Sequence, residues 1–78
     1  MKFSKVILAP GGEMKAHSNG ASEELIVVVR GTAAVSFGGV EREASAGGHL
    51  LIPRETLHSV RNRGSAPLEY YYILPEKN

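Results

Sequence analysis

The stretch HSNGASEELIVVVRG, His17 to Gly31, sets a histidine, an asparagine and two glutamates just ahead of the most apolar run in the chain. The chain has only three histidines, at 17, 49 and 58. Two imidazoles and one carboxylate make a site for a borderline or hard divalent ion with open positions. His17, Glu24 and His58 supply that set if neighbouring strands carry them to one point. The plainer alternative is a surface histidine, a loop glutamate and a half-buried histidine bonded to backbone. Spacing alone favours that alternative, because isolated histidines outnumber ligands. His49 follows a glycine on a short strand and reads as a structural or surface residue. Cysteine and aspartate do not occur. Disulfides, thiolate metal sites, Ser-His-Asp triads and Cys-His pairs are therefore excluded. The Gly-Gly pairs sit at turns and never ahead of a helix, so no phosphate or dinucleotide loop is present.

The elements that would position these residues are all strands. No segment repeats apolar residues at i, i+3, i+4 and i+7 for the length of a helix. Short β-branched and aromatic runs alternate instead with glycine, proline and asparagine. The pattern predicts strands over FSKVILA, EMKAH, ELIVVVR, TAAVSF, VEREA, HLLI, LHSVRN and LEYYYIL. Gly38-Gly39 closes a two-residue hairpin, where primed turns need positive φ. PRET and RGSAP are further turns.

Successive side chains on a strand face opposite ways. In the third run Glu24, Ile26 and Val28 share one face, while Leu25, Val27 and Val29 share the other. Both faces are apolar, so this strand is expected to be covered on both sides. A barrel interior covers one face. The terminal strand or a second subunit must cover the other, which points to a homodimer. Tyr70 and Tyr72 share a face with Leu68 and are expected to line the barrel, and Tyr70 offers a hydroxyl there. Tyr71 falls on the opposite face, suited to an edge or a subunit contact. Arg61 and Arg63 alternate away from His58 and solvate the outer face, whereas Arg54 lies on a turn near the barrel mouth. Pro53 and Asn62 read as turn residues.

The chain resembles the cupin family over both of that family's motifs. The first is a glycine, five residues, His-x-His, three or four residues, a glutamate, six residues and a glycine. Gly11, GEMKA, His17, Ser18, Asn19, GASE, Glu24, LIVVVR and Gly31 fit it, with Asn19 in place of the second histidine. The second is a glycine, five residues, proline, one residue, glycine, two residues, histidine, three residues and asparagine. Gly47, GHLLI, Pro53, Arg54, Glu55, TL, His58, SVR and Asn62 fit it, with Glu55 in place of the glycine. The resemblance implies an all-β, double-stranded β-helix (jelly-roll) barrel spanning residues 1–78 as one domain. It implies metal ligands at His17, Asn19, Glu24 and His58, Asn19 being a weaker ligand than imidazole. The ion would be Zn, Mn, Fe, Ni or Cu, acting on or binding a small polar molecule, as in an oxygenase or isomerase. Glu55 and Tyr70 are further acid–base candidates. The competing expectation is a metal-free binding or sensory module, because this fold hosts many activities.

Bulk properties fit these readings. Seventy-eight residues make one domain of marginal core size, so a metal or a partner chain is the open route to extra stability. Nine basic and eight acidic residues leave a net charge of +1 with no basic block. Nucleic acid and membrane are therefore not expected partners. No run is long enough to span a bilayer and no signal pattern appears, so the cytoplasm is the expected compartment.

Overall fold

The computed structural model describes residues 1–75. Its eight strands are β1 (Lys2–Leu8), β2 (Glu13–His17), β3 (Glu24–Arg30), β4 (Thr32–Phe37), β5 (Val40–Ser45), β6 (His49–Ile52), β7 (His58–Arg61) and β8 (Leu68–Leu74). Each falls on a run that the sequence marks as extended, with ends shifted by one residue or so. Gly38 and Gly39 both take positive φ between β4 and β5, as a primed hairpin turn requires. Among the described residues no helix forms, so none is long and apolar enough to cross a membrane.

The strands form two antiparallel four-stranded sheets, ordered β1-β8-β3-β6 and β2-β7-β4-β5. Facing each other, they enclose a jelly-roll core of Ile26, Val28, Ala33, Val35, Ala44, Ile52, Val60, Leu68 and Tyr70. These are the inward positions of a two-residue alternation, and Tyr72 packs against them. Tyr70 and Tyr72 thus line the interior as expected.

The outer faces of the two sheets differ in character. On the β2-β7-β4-β5 sheet Arg61 pairs with Glu13, and Arg63 with Glu41, so this face is dressed for water. The outer face of the other sheet carries Phe3, Ile7, Leu25, Val27, Val29, Leu51, Tyr71 and Ile73. Of the two covers expected for the outer face of β3, the terminal strand is ruled out. β8 hydrogen-bonds beside β3 in the same sheet, pairing Leu25 with Ile73 and Val27 with Tyr71. Val29 stays 47% exposed and Leu51 53% exposed.

Candidate metal centre

Glu24 is the first residue of β3 and faces the interior with Ile26 and Val28. His58 opens β7 on the same inward row as Val60. Both are almost fully buried. His17 reaches the same point only through an irregularity in β2. Across the β2–β7 pairing, Met14 opposes Val60 and His17 opposes His58, so β2 spends three steps where β7 spends two. Strict alternation would set Met14 and His17 on opposite faces. The extra residue, a β-bulge, turns the imidazole inward.

The three side chains converge. His58 Nε2 lies 3.1 Å from Glu24 Oε1, and His17 Nε2 lies 4.0 Å from the same oxygen. The two imidazole centroids are 4.4 Å apart. One donor atom from each of the three residues falls within 4.8 Å of the others. Ligands held about 2.1 Å from a shared ion need only a modest contraction from there.

Backbone carbonyls fix which ring nitrogen faces inward. His58 Nδ1 donates to the Thr56 carbonyl at 3.0 Å, and His17 Nδ1 donates to the Lys15 carbonyl at 3.0 Å. A carbonyl only accepts, so each Nδ1 carries a hydrogen, and each Nε2 faces Glu24, where it offers a lone pair to an ion once it has no proton of its own. This outer-shell arrangement orients metal-binding histidines. The donor set therefore fits a divalent ion.

Without a metal, a proton between His58 and Glu24 takes the central place. Burial alone would raise the Glu24 pKa. The hydrogen bonds from His58 and Asn19, with the charge of the two imidazoles, outweigh burial and hold the carboxyl below its usual value. The Glu24 hydrogen bond raises His58 against its own burial, helped by the Thr56 carbonyl. Tyr70 is raised by burial and then by the negative charge of Glu24. Its hydroxyl stays protonated at any working pH, as a donor and not a base.

Asn19 joins the cluster, as its place in the first motif implies. It presents its amide Nδ2 as a donor to Glu24 Oε1, so in this geometry it orients the carboxylate. Glu55 is exposed on the turn before β7, away from the trio. Its φ of 59° is the left-handed conformation, which explains why the family pattern has glycine there. Its N–H donates to the Gly20 carbonyl at 2.7 Å, clasping the loop that carries Asn19. His49 lies exposed on β6, and Arg54 is exposed on the turn before β7. Asn62 is buried, and its amide ties Leu8 to Ala66. The Lys15 and Thr56 carbonyls, which set both imidazoles, are backbone groups that no side-chain pattern announces.

A small concavity of about 320 Å³, lined by Met1, Lys2, Asn19, Ser22 and Leu74, opens at the Asn19 side of the trio. His17 keeps 42% of its side chain exposed, against 1% for His58. His17 is therefore the imidazole of the pair that solvent reaches.

The solved structures that resemble this chain share its architecture and differ in what they are. A predicted oxalate decarboxylase from Thermotoga maritima is 23% identical with a TM-score of 0.85, the match covering 90% of this chain and 61% of that one. An oxalate oxidase is 26% identical with a TM-score of 0.83, covering 90% of this chain and 39% of the other. Drosophila melanogaster CENP-C, solved bound to CAL1, is 17% identical with a TM-score of 0.85, covering 91% and 62%. The chain thus spans less than two thirds of the length of each. No curated protein matches it. The family model described as a cupin domain matches residues 4–74. That match covers most of the chain, so this chain belongs to the cupin family.

Proposed function

We propose that the barrel holds a divalent metal ion on His17, Glu24 and His58 and uses it to bind or transform a small polar molecule. The observation that carries this reading is the pair of inward Nε2 atoms, held by the Lys15 and Thr56 carbonyls and turned toward one carboxylate, where each gives an ion its lone pair once deprotonated. Three protein ligands leave open positions, at which a bound ion supplies Lewis-acid polarisation of a ligand oxygen. Asn19 steadies Glu24, and the buried Tyr70 hydroxyl, near enough to feel that charge, keeps its proton. The concavity beside Asn19 is at the small end for ligand sites and suits a molecule of few heavy atoms. If the protein is catalytic, an oxygenase or isomerase is the reaction class we favour. The working form we propose is a homodimer in the cytoplasm, since a chain without cysteine suits a reducing compartment.

The test uses untagged protein offered Mn, Fe, Ni, Zn and Cu separately, dialysed and assayed by metal mass spectrometry. Near-stoichiometric retention of one ion is expected, with loss in His58→Ala and in the more exposed His17→Ala. Circular dichroism confirms that the variants fold. Absence of metal from the wild type after every ion was offered would remove the proposal.

A second reading is a metal-free binding module, and Asn19 favours it. Its amide donates a hydrogen to Glu24 where the family's second histidine would offer a lone pair. Among the described residues, no buried side-chain polar atom lacks a partner. Binding of a small polar molecule by protein that retains no metal, without turnover in the presence or absence of oxygen, would favour this second reading.

A further inference from the structure

We infer that Asn19 is a site of spontaneous covalent modification. The Gly20 backbone nitrogen converts its side-chain amide to a carboxylate, and the product gives the centre a second anionic ligand beside Glu24. The conversion stands apart from any metal, whereas its consequence for the centre rests on the metal reading above.

Asn19-Gly20 is the only asparagine followed by glycine in the chain. The pair lies between β2 and β3, outside the strand ladders. A Cβ added at Gly20 would meet no heavy atom within 4 Å, so nothing crowds the space beside its backbone nitrogen. Gly20 N–H donates to Ser18 Oγ at 3.1 Å, and that hydroxyl can turn away. Asn62 is the internal contrast. Its side chain is buried, its Nδ2 is shared between the Leu8 and Ala66 carbonyls, and the residue after it is Arg63. Asparagine is a thermolabile residue where its surroundings allow, and the fold leaves Asn19 open to reaction while it locks Asn62.

The conversion needs only water and a solvent base. Once Gly20 N has given up its proton, it bonds to Asn19 Cγ, and the Cγ–Nδ2 bond breaks with loss of ammonia. One water then adds at Cγ of the cyclic imide. The bond from Cγ to Gly20 N breaks, that nitrogen regains a proton, and a carboxylate is left at position 19. Nothing is oxidised or reduced. Opening the imide at its other carbonyl would instead give isoaspartate, with one more carbon in the backbone. The backbone here is held on both sides, by Ser22 N–H on the Asn19 carbonyl at 3.2 Å and by Glu55 N–H on the Gly20 carbonyl at 2.7 Å. A lengthened backbone would strain both bonds, so the fold favours aspartate.

The exchange changes the centre at one atom. Asn19 Nδ2 donates to Glu24 Oε1, and the carboxylate sets an anionic oxygen where that donor stood. Two carboxylates in contact do not both stay ionised unless a proton or a cation lies between them. With His17 and His58 they form a set of two imidazoles and two carboxylates, suited to Mn(II) or Fe(II). Affinity for such an ion therefore rises as the protein ages.

The test ages freshly purified, untagged protein in mildly alkaline buffer and follows it by peptide mass spectrometry. The peptide holding Asn19 should gain the mass of an NH2-to-OH exchange, with aspartate as the main product, while the peptide holding Asn62 stays unchanged. Gly20→Ala fits the open space at some cost in backbone strain, and should slow the conversion several-fold in protein that circular dichroism shows to be folded. Asn19→Asp, made directly, should bind Mn(II) at least about tenfold more tightly than fresh wild type in competition with a chelator, or about 1.4 kcal/mol. Aged wild type should move toward that affinity. An unchanged Asn19 peptide after ageing would overturn the conversion, whether or not the protein binds metal. Isoaspartate as the main product, or Asn19→Asp binding Mn(II) no better than fresh wild type, would overturn the consequence. Conversion in a protein that retains no ion in any form would sink the metal reading, and the consequence with it.

Discussion

Replacing Glu55 by glycine is expected to stabilise this protein, although it removes a charged side chain and adds backbone freedom. Glu55 has a φ of 59°, and it is the only non-glycine residue with positive φ among those described. A side chain in that conformation brings Cβ against the carbonyl oxygen at a cost of about 1–2 kcal/mol. Glycine escapes that strain but loses more entropy on folding, about 0.5–1 kcal/mol. The carboxylate of Glu55 makes no hydrogen bond or ion pair among the described residues, so little offsets the relief. The N–H bond to the Gly20 carbonyl survives any substitution other than proline. The net gain is then about 0.5–1 kcal/mol. At about 4–8 °C per kcal/mol for a domain of this size, Tm should rise by roughly 2–8 °C. Calorimetry of the metal-free protein measures it, with urea unfolding as a second axis. Glu55→Ala keeps Cβ and the strain, and should stay within about 0.5 kcal/mol of wild type. Retained metal should be the same in all three proteins. An unchanged or lower Tm for Glu55→Gly would refute the reasoning, because it would mean that the carboxylate has a partner worth as much as the strain.

Four further outcomes are expected. Stability of the metal-free protein should be greatest between pH 4.5 and 6.5. The raised His58 contributes fully below its unfolded value and less as pH climbs through its folded one, whereas the lowered Glu24 contributes above its unfolded value and less as pH falls through its folded one. Metal has the reverse preference, since imidazole must give up its proton to bind. The Tm increase on adding Zn or Mn should therefore be larger at pH 8 than at pH 5.5, and an equal increase at both would argue against binding through His58. Asn19→His replaces a donor by an imidazole lone pair and should tighten metal binding by at least about tenfold, or about 1.4 kcal/mol, in competition with a chelator. Gly31→Ala should cost about 3 kcal/mol or more in urea unfolding. Its φ is +83°, and an added Cβ would stand 2.6 Å from the Pro67 carbonyl oxygen and 3.0 Å from Leu68 Cα.

The strands were legible in the sequence because each lies between turn residues whose backbone demands are specific, and alternation then places Glu24, Ile26 and Val28 inward. The same rule shows why the site was only partly legible. Alternation counted along EMKAH puts Met14 and His17 on opposite faces, yet both turn inward because β2 carries one residue more than β7 between their pairings. No residue type marks that bulge; the pairing itself makes it. The inward turn of both Nε2 atoms depends on the carbonyls of Lys15 and Thr56, which every residue possesses. Glu55 stood out only as a misfit, and its backbone shows that the misfit lies in conformation and leaves the ligand set alone. The apolar outer side of β3 was visible in LIVVV, but its neighbours Phe3, Tyr71 and Leu51 join it only through sheet order. Local chemistry therefore specifies the scaffold. The site arises where the scaffold departs from its own regularity, at a bulge, a strained turn and two carbonyls, and there the sequence carries least information. Engineering this centre should begin with the backbone around residues 14–17 and 55–58, because an imidazole placed on a regular β2 would point into solvent.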